Sequence, residues 1–202
     1  MAAKPLIVRK FAKLLQEAAE KNKLKENAIG SMNWYRKKVS MSMERVKPQN
    51  ILAYKDRLRK FINYGNMYFF RYDPKYKKIL PYYDEFPCII VVDKGSSWFT
   101  GINLHYLPYI QRGKLLDGLM SIASDQKYND RTKIRVTYDF LKQSSKTRFF
   151  KPCYKKYLVR HLRSPLVRIK SIEWPIATFI PVERFVKKTK THVWRDSLKA
   201  IR

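Results

Sequence analysis

Cations alternate with aromatic rings in three stretches of this sequence: Tyr76-Lys77-Lys78, Lys146-Thr147-Arg148-Phe149-Phe150-Lys151 and Tyr154-Lys155-Lys156-Tyr157. Arg160, Arg163 and Arg168 follow closely. Lysine and arginine neutralise phosphates and release their counterions, while aromatic faces stack on unpaired bases. The chemistry that suits this pattern is non-covalent contact with a polyanion. Phe149, Phe150, Tyr154 and Tyr157 better suit a core at helical spacing, but the cations do not, so the electrostatic inference stands either way. A second basic group is Lys55, Arg57, Arg59 and Lys60. The candidate contacts to nucleic acid or an acidic partner are therefore Lys55, Arg57, Arg59, Lys60, Lys146, Arg148, Lys151, Lys155, Lys156, Arg160 and Arg163. No zinc-finger spacing or recognition helix offers base readout. Contact to backbone phosphate without sequence choice follows.

Catalytic parts are few. The three histidines, His105, His161 and His192, form no HxxH, HxxxH or HExxH arrangement, and no Gly-rich phosphate loop, GxSxG elbow or dinucleotide fingerprint is present. No metal or other cofactor is expected. The enzymatic alternative is a metal-dependent nuclease, which needs two or three carboxylates converging on a divalent ion. Asp73-Pro74-Lys75, with Asp84, Glu85 and Asp93 nearby, is the best source of such a set. Asp-Pro, however, starts a turn, and the bland roles for Asp73 and for Asp84-Glu85 are turn formation and a loop cap. The expectation is a protein that is not an enzyme, with His105 structural.

The elements that must position these residues change character along the chain. Ile7, Phe11, Leu14, Leu15 and Ala18 recur at helical spacing behind Pro5. Gly30-Ser31 reads as a break that caps a second helix carrying Trp34 and Tyr35. After Pro48, the residues Ile51, Tyr54, Leu58, Phe61 and Ile62 fall on one helical face, with the second basic group on the rest. Strands are expected over Met67–Tyr72, Cys88–Val92 and Trp98–Leu104, with a hairpin loop at 93–97. Gly101 inside the third strand marks a bulge or a close backbone approach. Leu115, Leu116, Leu119, Met120 and Ile122 mark a helix, and Tyr154, Tyr157, Leu158 and Leu162 another. Residues 134–140 suit either element. Val167–Ile172 and Ile176–Ile180 read as closing strands. The sum is α+β: a small SH3-like barrel or curled antiparallel sheet with inserted helices and an N-terminal helical extension. Its divisions are a basic helical extension at 1–62, a β-rich core at 63–186 with a helical insertion at about 109–163, and a basic tail at 187–202.

Composition agrees with a binding protein. Lys plus Arg number 44 against 16 Asp plus Glu, a formal +28 over 202 residues. Such a chain repels itself unless a polyanion or an acidic surface shares the charge. The charge is concentrated in the flanks: +11 over residues 1–62, +1 over 63–110, +10 over 111–163 and +6 over 164–202. At 45% hydrophobic and 14% aromatic residues, the chain can bury a core. Its longest apolar stretch, Phe86–Val92, is far short of the ~20 residues of a membrane span. Cys88 and Cys153 are too few and too distant for a disulfide framework or a metal knuckle. Free buried thiols and synthesis in a reducing cytoplasm are expected, since residues 1–5 do not begin a signal peptide.

Four blocks carry a family resemblance: Met67-Tyr-Phe-Phe-Arg-Tyr-Asp-Pro-Lys, Leu80-Pro-Tyr-Tyr-Asp-Glu-Phe-Pro, Phe99-Thr-Gly-Ile-Asn-Leu-His-Tyr-Leu-Pro and Arg148-Phe-Phe-Lys-Pro-Cys-Tyr-Lys-Lys-Tyr-Leu. Together they resemble the small basic virion-associated proteins of T-even-type tailed bacteriophages and their marine relatives, of the DNA end protector or neck-completion type. The resemblance covers roughly residues 64–185 and leaves the first sixty outside it as an attachment arm. It implies a virion protein made in the host cytoplasm that holds or shields genome ends near the portal or neck. Its partners would be non-specific DNA, other phage structural proteins, or both, with no membrane. The alternative is a tail or baseplate component whose flanks dock on acidic subunits. Asn103 and His105 are then fold determinants that satisfy buried backbone groups.

Overall fold

The computed structural model describes residues 28–43, 47–53, 55–124 and 150–201, together with Lys13, Gln16, Glu17, Glu20, Lys21, Asp139, Lys142 and Gln143. In chain order the elements are α1 (Ala28–Met43), α2 (Pro48–Leu52), β1 (Leu58–Arg59), β2 (Met67–Phe69), β3 (Tyr83–Asp84), β4 (Cys88–Lys94), β5 (Trp98–Asn103), α3 (Tyr109–Ser124), β6 (Tyr154–Leu158), β7 (Leu166–Ile169), α4 (Trp174–Phe179), β8 (Phe185–Val186) and α5 (Lys190–Ile201). The expected α+β class is present. The long strands form one antiparallel sheet in the order β1-β7-β2-β4-β5-β6, and β3 pairs with β8 apart from it.

This sheet is open, with β1 and β6 at its edges, so a closed barrel is not formed. It is nevertheless curled. Leu162 bridges Tyr72, just beyond β2, although β6 and β2 stand three strand intervals apart, roughly 14 Å on a flat sheet. The chain between them is a 3-10 turn, Val159–His161, which rises only about 2 Å per residue. So short a link reaches β2 only if the sheet bends toward it.

Both sheet faces are buried. On one face Met67, Phe69, Cys88, Ile90 and Ile102 share a cluster with Tyr35 and Val39 of α1, Leu115 and Leu119 of α3, and Ile176 and Phe179 of α4. Tyr35 stacks on Phe179, with ring centroids 6.2 Å apart. The opposite, concave face gathers Tyr68, Phe70, Tyr72, Phe99 and Tyr157. Each such ring removed from water contributes on the order of 1.5–3 kcal/mol.

Gly101 lies where β5 crosses closest to β4: a Cβ there would meet the Ile90 carbonyl oxygen at 2.6 Å. The register of β4 against β5 shifts between Val91 and Asp93, opposite this approach.

Several expected elements differ. Tyr154–Leu158 is strand β6 rather than helix, because Tyr154 and Tyr157 bury by pairing with Ile102 and Phe99 of β5. Ile176–Ile180 is not a strand. Pro175 opens helix α4 in the first turn, where its missing N–H costs nothing. The strand expected at 167–172 ends at Ile169 and gives way to a 3-10 turn, Ser171–Glu173. The long helix expected after Pro48 stops at Leu52; Lys55–Arg57 is a 3-10 turn, and Leu58–Arg59 pairs with β7. Helix α1 runs through Gly30-Ser31 without a break. The apolar residues expected to align over 7–18, and residues 134–138, lie outside the described residues. Among the described residues no helix is long and apolar enough to cross a membrane.

Candidate nucleic-acid interface

Strand β6 carries the candidate cations Lys155 and Lys156 at the free edge of the sheet. Alternation sends Tyr157 inward, where it stacks on Phe99 at 5.4 Å and meets Tyr72 edge-on at 4.9 Å. Its hydroxyl accepts a hydrogen bond from Asn103 Nδ2 at 3.1 Å. Lys155 lies on the same side of the strand, half-buried, with Nζ 4.3 Å from the centre of the Tyr106 ring. Burial pushes its pKa below the usual lysine value. Lys156 is exposed and sits 4.5 Å over the Trp98 ring.

The remaining candidates separate into groups. Lys151 is exposed two residues ahead of Cys153, and Arg160 and Arg163 are exposed beyond β6. Arg163 reaches Asp73 Oδ2 at 3.4 Å, and Lys77 reaches Asp73 Oδ1 at 3.0 Å. Bonding to Lys77 and then to Arg163 holds the Asp73 carboxyl below the ordinary carboxylate range. Lys55, Arg59 and Lys60 are exposed beside β1, at the other edge of the sheet. Arg57 is committed inside the fold: its guanidinium grips Glu173 in a two-point ion pair, one arm at 2.7 Å. Glu173 is buried, so the charge of this arginine is met inside the fold. Lys146 and Arg148 lie outside the described residues.

The carboxylates weighed for metal chemistry are dispersed and occupied. Asp84 Oδ2 accepts from Asn103 Nδ2 at 3.0 Å and lies 2.8 Å from His105 Nδ1, while its Oδ1 caps the Phe86 N–H at 3.1 Å. Glu85 pairs with Arg71 at 2.9 Å. Asn103 Oδ1 takes the His105 N–H at 3.0 Å, satisfying a buried backbone group as expected of it, whereas the His105 ring meets the Asp84 carboxylate rather than backbone. Among the described residues no group of three or more His, Cys, Asp or Glu side chains is placed to hold a metal ion.

What sequence reading missed is a cavity of about 580 Å³ between β6 and the 74–83 segment. Tyr72, Tyr76, Tyr82, Tyr106 and Tyr157 line it, and Lys75, Lys155, Lys156 and Arg160 bring the cations. Lys187 fixes the wall segment, donating from Nζ to the carbonyls of Lys78 and Leu80 at 2.7 Å each. The tyrosines come from four separate stretches of sequence, so no local spacing announces them. Their shared signal is only the abundance of tyrosine in the chain.

Residues 3–199 match the family described as phage T4 terminal DNA protecting protein. The chain belongs to that family. The match to the terminal DNA protecting family takes in nearly the whole chain, so the first sixty residues, which lay beyond the motif resemblance, are part of the family unit. Neither curated proteins nor solved structures give a match to this chain.

Proposed function

We propose that this phage protein binds the ends of double-stranded DNA in the virion, by phosphate contact without sequence choice and without catalysis. The observation that carries the reading is the near full-length match to a terminal DNA protecting family. The geometry supports it: the exposed Lys151, Lys156 and Arg160 line one edge of the curled sheet, and none has a carboxylate partner among the described residues. The chain as a whole carries +28, and a duplex offers it one phosphate charge per about 1.7 Å of axis. The same reading takes the curled sheet as SH3-like, supported by the 3-10 turn that brings the chain from β6 back toward β2.

The test is titration of the full chain against linear and covalently closed circular duplexes of equal length at two salt concentrations. Affinity is expected to fall by about a thousandfold or more between 50 and 200 mM salt, as six or more phosphate contacts require. Linear DNA should be bound more tightly than circles, and magnesium should leave both intact. Absence of binding at low salt, or binding indifferent to salt, overturns the reading. The basic edge would then serve acidic tail or baseplate subunits.

A further inference from the structure

Four cations face the tyrosine-lined cavity, and none of them has a carboxylate within ion-pair distance among the described residues. Their neighbours Arg71, Lys77 and Arg163 all do. The exception in sign on the lining is Asp84, which is buried and bonded to Asn103, His105 and the Phe86 N–H. Lys155 is the most telling of the four. Its ammonium is drawn half out of water over the Tyr106 ring, a position that costs hydration and receives no carboxylate partner from the described residues. A phosphate oxygen would supply that charge.

The apolar part of the cavity is equally specific. Tyr76 is 55% exposed and Tyr82 half-buried, so both present ring surface to whatever enters. Lys75 sits 4.9 Å over the Tyr76 ring and Lys188 4.9 Å over the Tyr82 ring, each placing a cation beside an aromatic face. At about 580 Å³ the cavity falls within the roughly 300–1,000 Å³ of small-ligand sites. A flat heteroaromatic ring joined to a phosphate combines the two properties that the lining combines.

We propose that this cavity takes up the unpaired terminal nucleotide of a DNA strand, its base against the tyrosine rings and its phosphate against Lys155 and the rim cations Lys75, Lys156 and Arg160. The inference rests on the DNA-end reading above and names the element of the end that is held. A nucleotide inside a duplex enters such a site only after unpairing and unstacking, whereas one already unpaired at a terminus avoids most of that cost. The cavity therefore discriminates ends from continuous duplex without reading sequence.

The experiment uses the full chain and short duplexes closed at one end by a hairpin. The open end is blunt, or carries one unpaired nucleotide at the 5′ or the 3′ side. A dumbbell closed at both ends has no terminus. The parent is expected to bind one overhang about tenfold or more tighter than the dumbbell, the scale of one base–aromatic stack. Tyr76→Ala is expected to remove most of that preference while leaving dumbbell affinity within about twofold of the parent, and Lys155→Met to weaken overhang binding several-fold more than dumbbell binding. Both variants should melt like the parent, since Tyr76 is exposed and methionine keeps the Lys155 stem on Tyr106. A photoreactive iodouracil at the unpaired position should crosslink to a cavity tyrosine.

Variants that keep the full overhang preference, or crosslinks that map elsewhere, overturn the cavity assignment while leaving end binding intact; the cavity would then be free for a protein segment. A parent that binds the dumbbell as tightly as every open duplex overturns the end-binding reading itself.

Discussion

Arg112 Nη2 lies 3.7 Å from Glu183 Oε1, with both side chains at most 1% exposed. The arginine also donates to the carbonyls of Leu107 at 2.7 Å, Thr178 at 3.0 Å and His105 at 3.3 Å. One guanidinium thus joins the turn after β5 to helix α4 and to the segment leading into β8. Burial alone would raise the Glu183 carboxyl, but Arg112 foremost among its neighbours holds it below the usual 4.5.

A carboxyl lowered in the folded state gives stability that is present above its unfolded value and lost as pH falls through its folded one. The melting temperature is therefore expected to drop as pH is lowered from about 5 toward about 3. Glu183→Gln should flatten that part of the curve and lower neutral-pH stability by about 3 kcal/mol, because it leaves Arg112 buried without its counter-charge. Thermal melts of both proteins across that range check it. A variant with an unchanged pH slope would show that other carboxyls set the acid limit.

Gly101→Ala is expected to cost about 2 kcal/mol, because the new Cβ meets the Ile90 backbone oxygen rather than a movable side chain. Gly101→Val should prevent folding of the sheet. Denaturant titration of the alanine variant measures the cost, and a neutral result would mean that β4 can yield at this point.

The legibility of this fold followed local chemistry. Strands β4 and β5 were readable because apolar runs flank turn residues, although the loop expected at 93–97 shrinks to Gly95–Ser97 because Asp93 and Lys94 pair with Thr100 and Phe99; Gly101 was readable as a close approach. Strand β6 was hidden because Tyr154, Tyr157 and Leu158 repeat at offsets of three and four, the spacing of a helix, while the burial that decides the matter comes from β5. Ile176–Ile180 is a short, mostly apolar run broken only by Thr178, which suits a strand or a buried helix alike, and Pro175 was the signal that favoured the helix. At the candidate site, charge was legible and its use was not. Nothing near Arg57 in sequence announces Glu173, and nothing near Lys155 announces Tyr106.

Cys88 and Cys153 are both free and buried, and burial pushes each thiol up to about 12. Buried thiols held in the protonated form are inert, so a thiol reagent at pH 8 should leave the native protein unlabelled. Both should react at once in denaturant. Labelling of one cysteine under native conditions would identify a local opening, and mass spectrometry would say which.

Replacing Lys151, Lys156 and Arg160 with Gln is expected to leave stability unchanged within about 0.5 kcal/mol, because all three are exposed. The same change should reduce the salt slope of DNA binding by up to about three units. The matching change of Lys55, Arg59 and Lys60 at the opposite edge should reduce it less. Salt titrations of the two variants compare the edges directly, and the reverse order would move the DNA-binding face to β1.

Strand β7 has consequences for synthesis. Its neighbours are β1 and β2, so Leu58 pairs with Val167 and Met67 with Ile169, each across about a hundred residues of chain. Strands β5 and β6, adjacent in space, are likewise separated by the whole span from Leu104 to Cys153. Pairings this distant are paid for in loop entropy before they give any contact, which makes folding slow. On the ribosome the hairpin β4–β5 can form early, but the aromatic concave face stays open until Tyr157 and Leu166 have emerged. A nascent chain shorter than that displays Phe70, Tyr72 and Phe99 to its surroundings, among many uncompensated lysines. The last third of the message is therefore the part that closes an adhesive intermediate over its aromatic face.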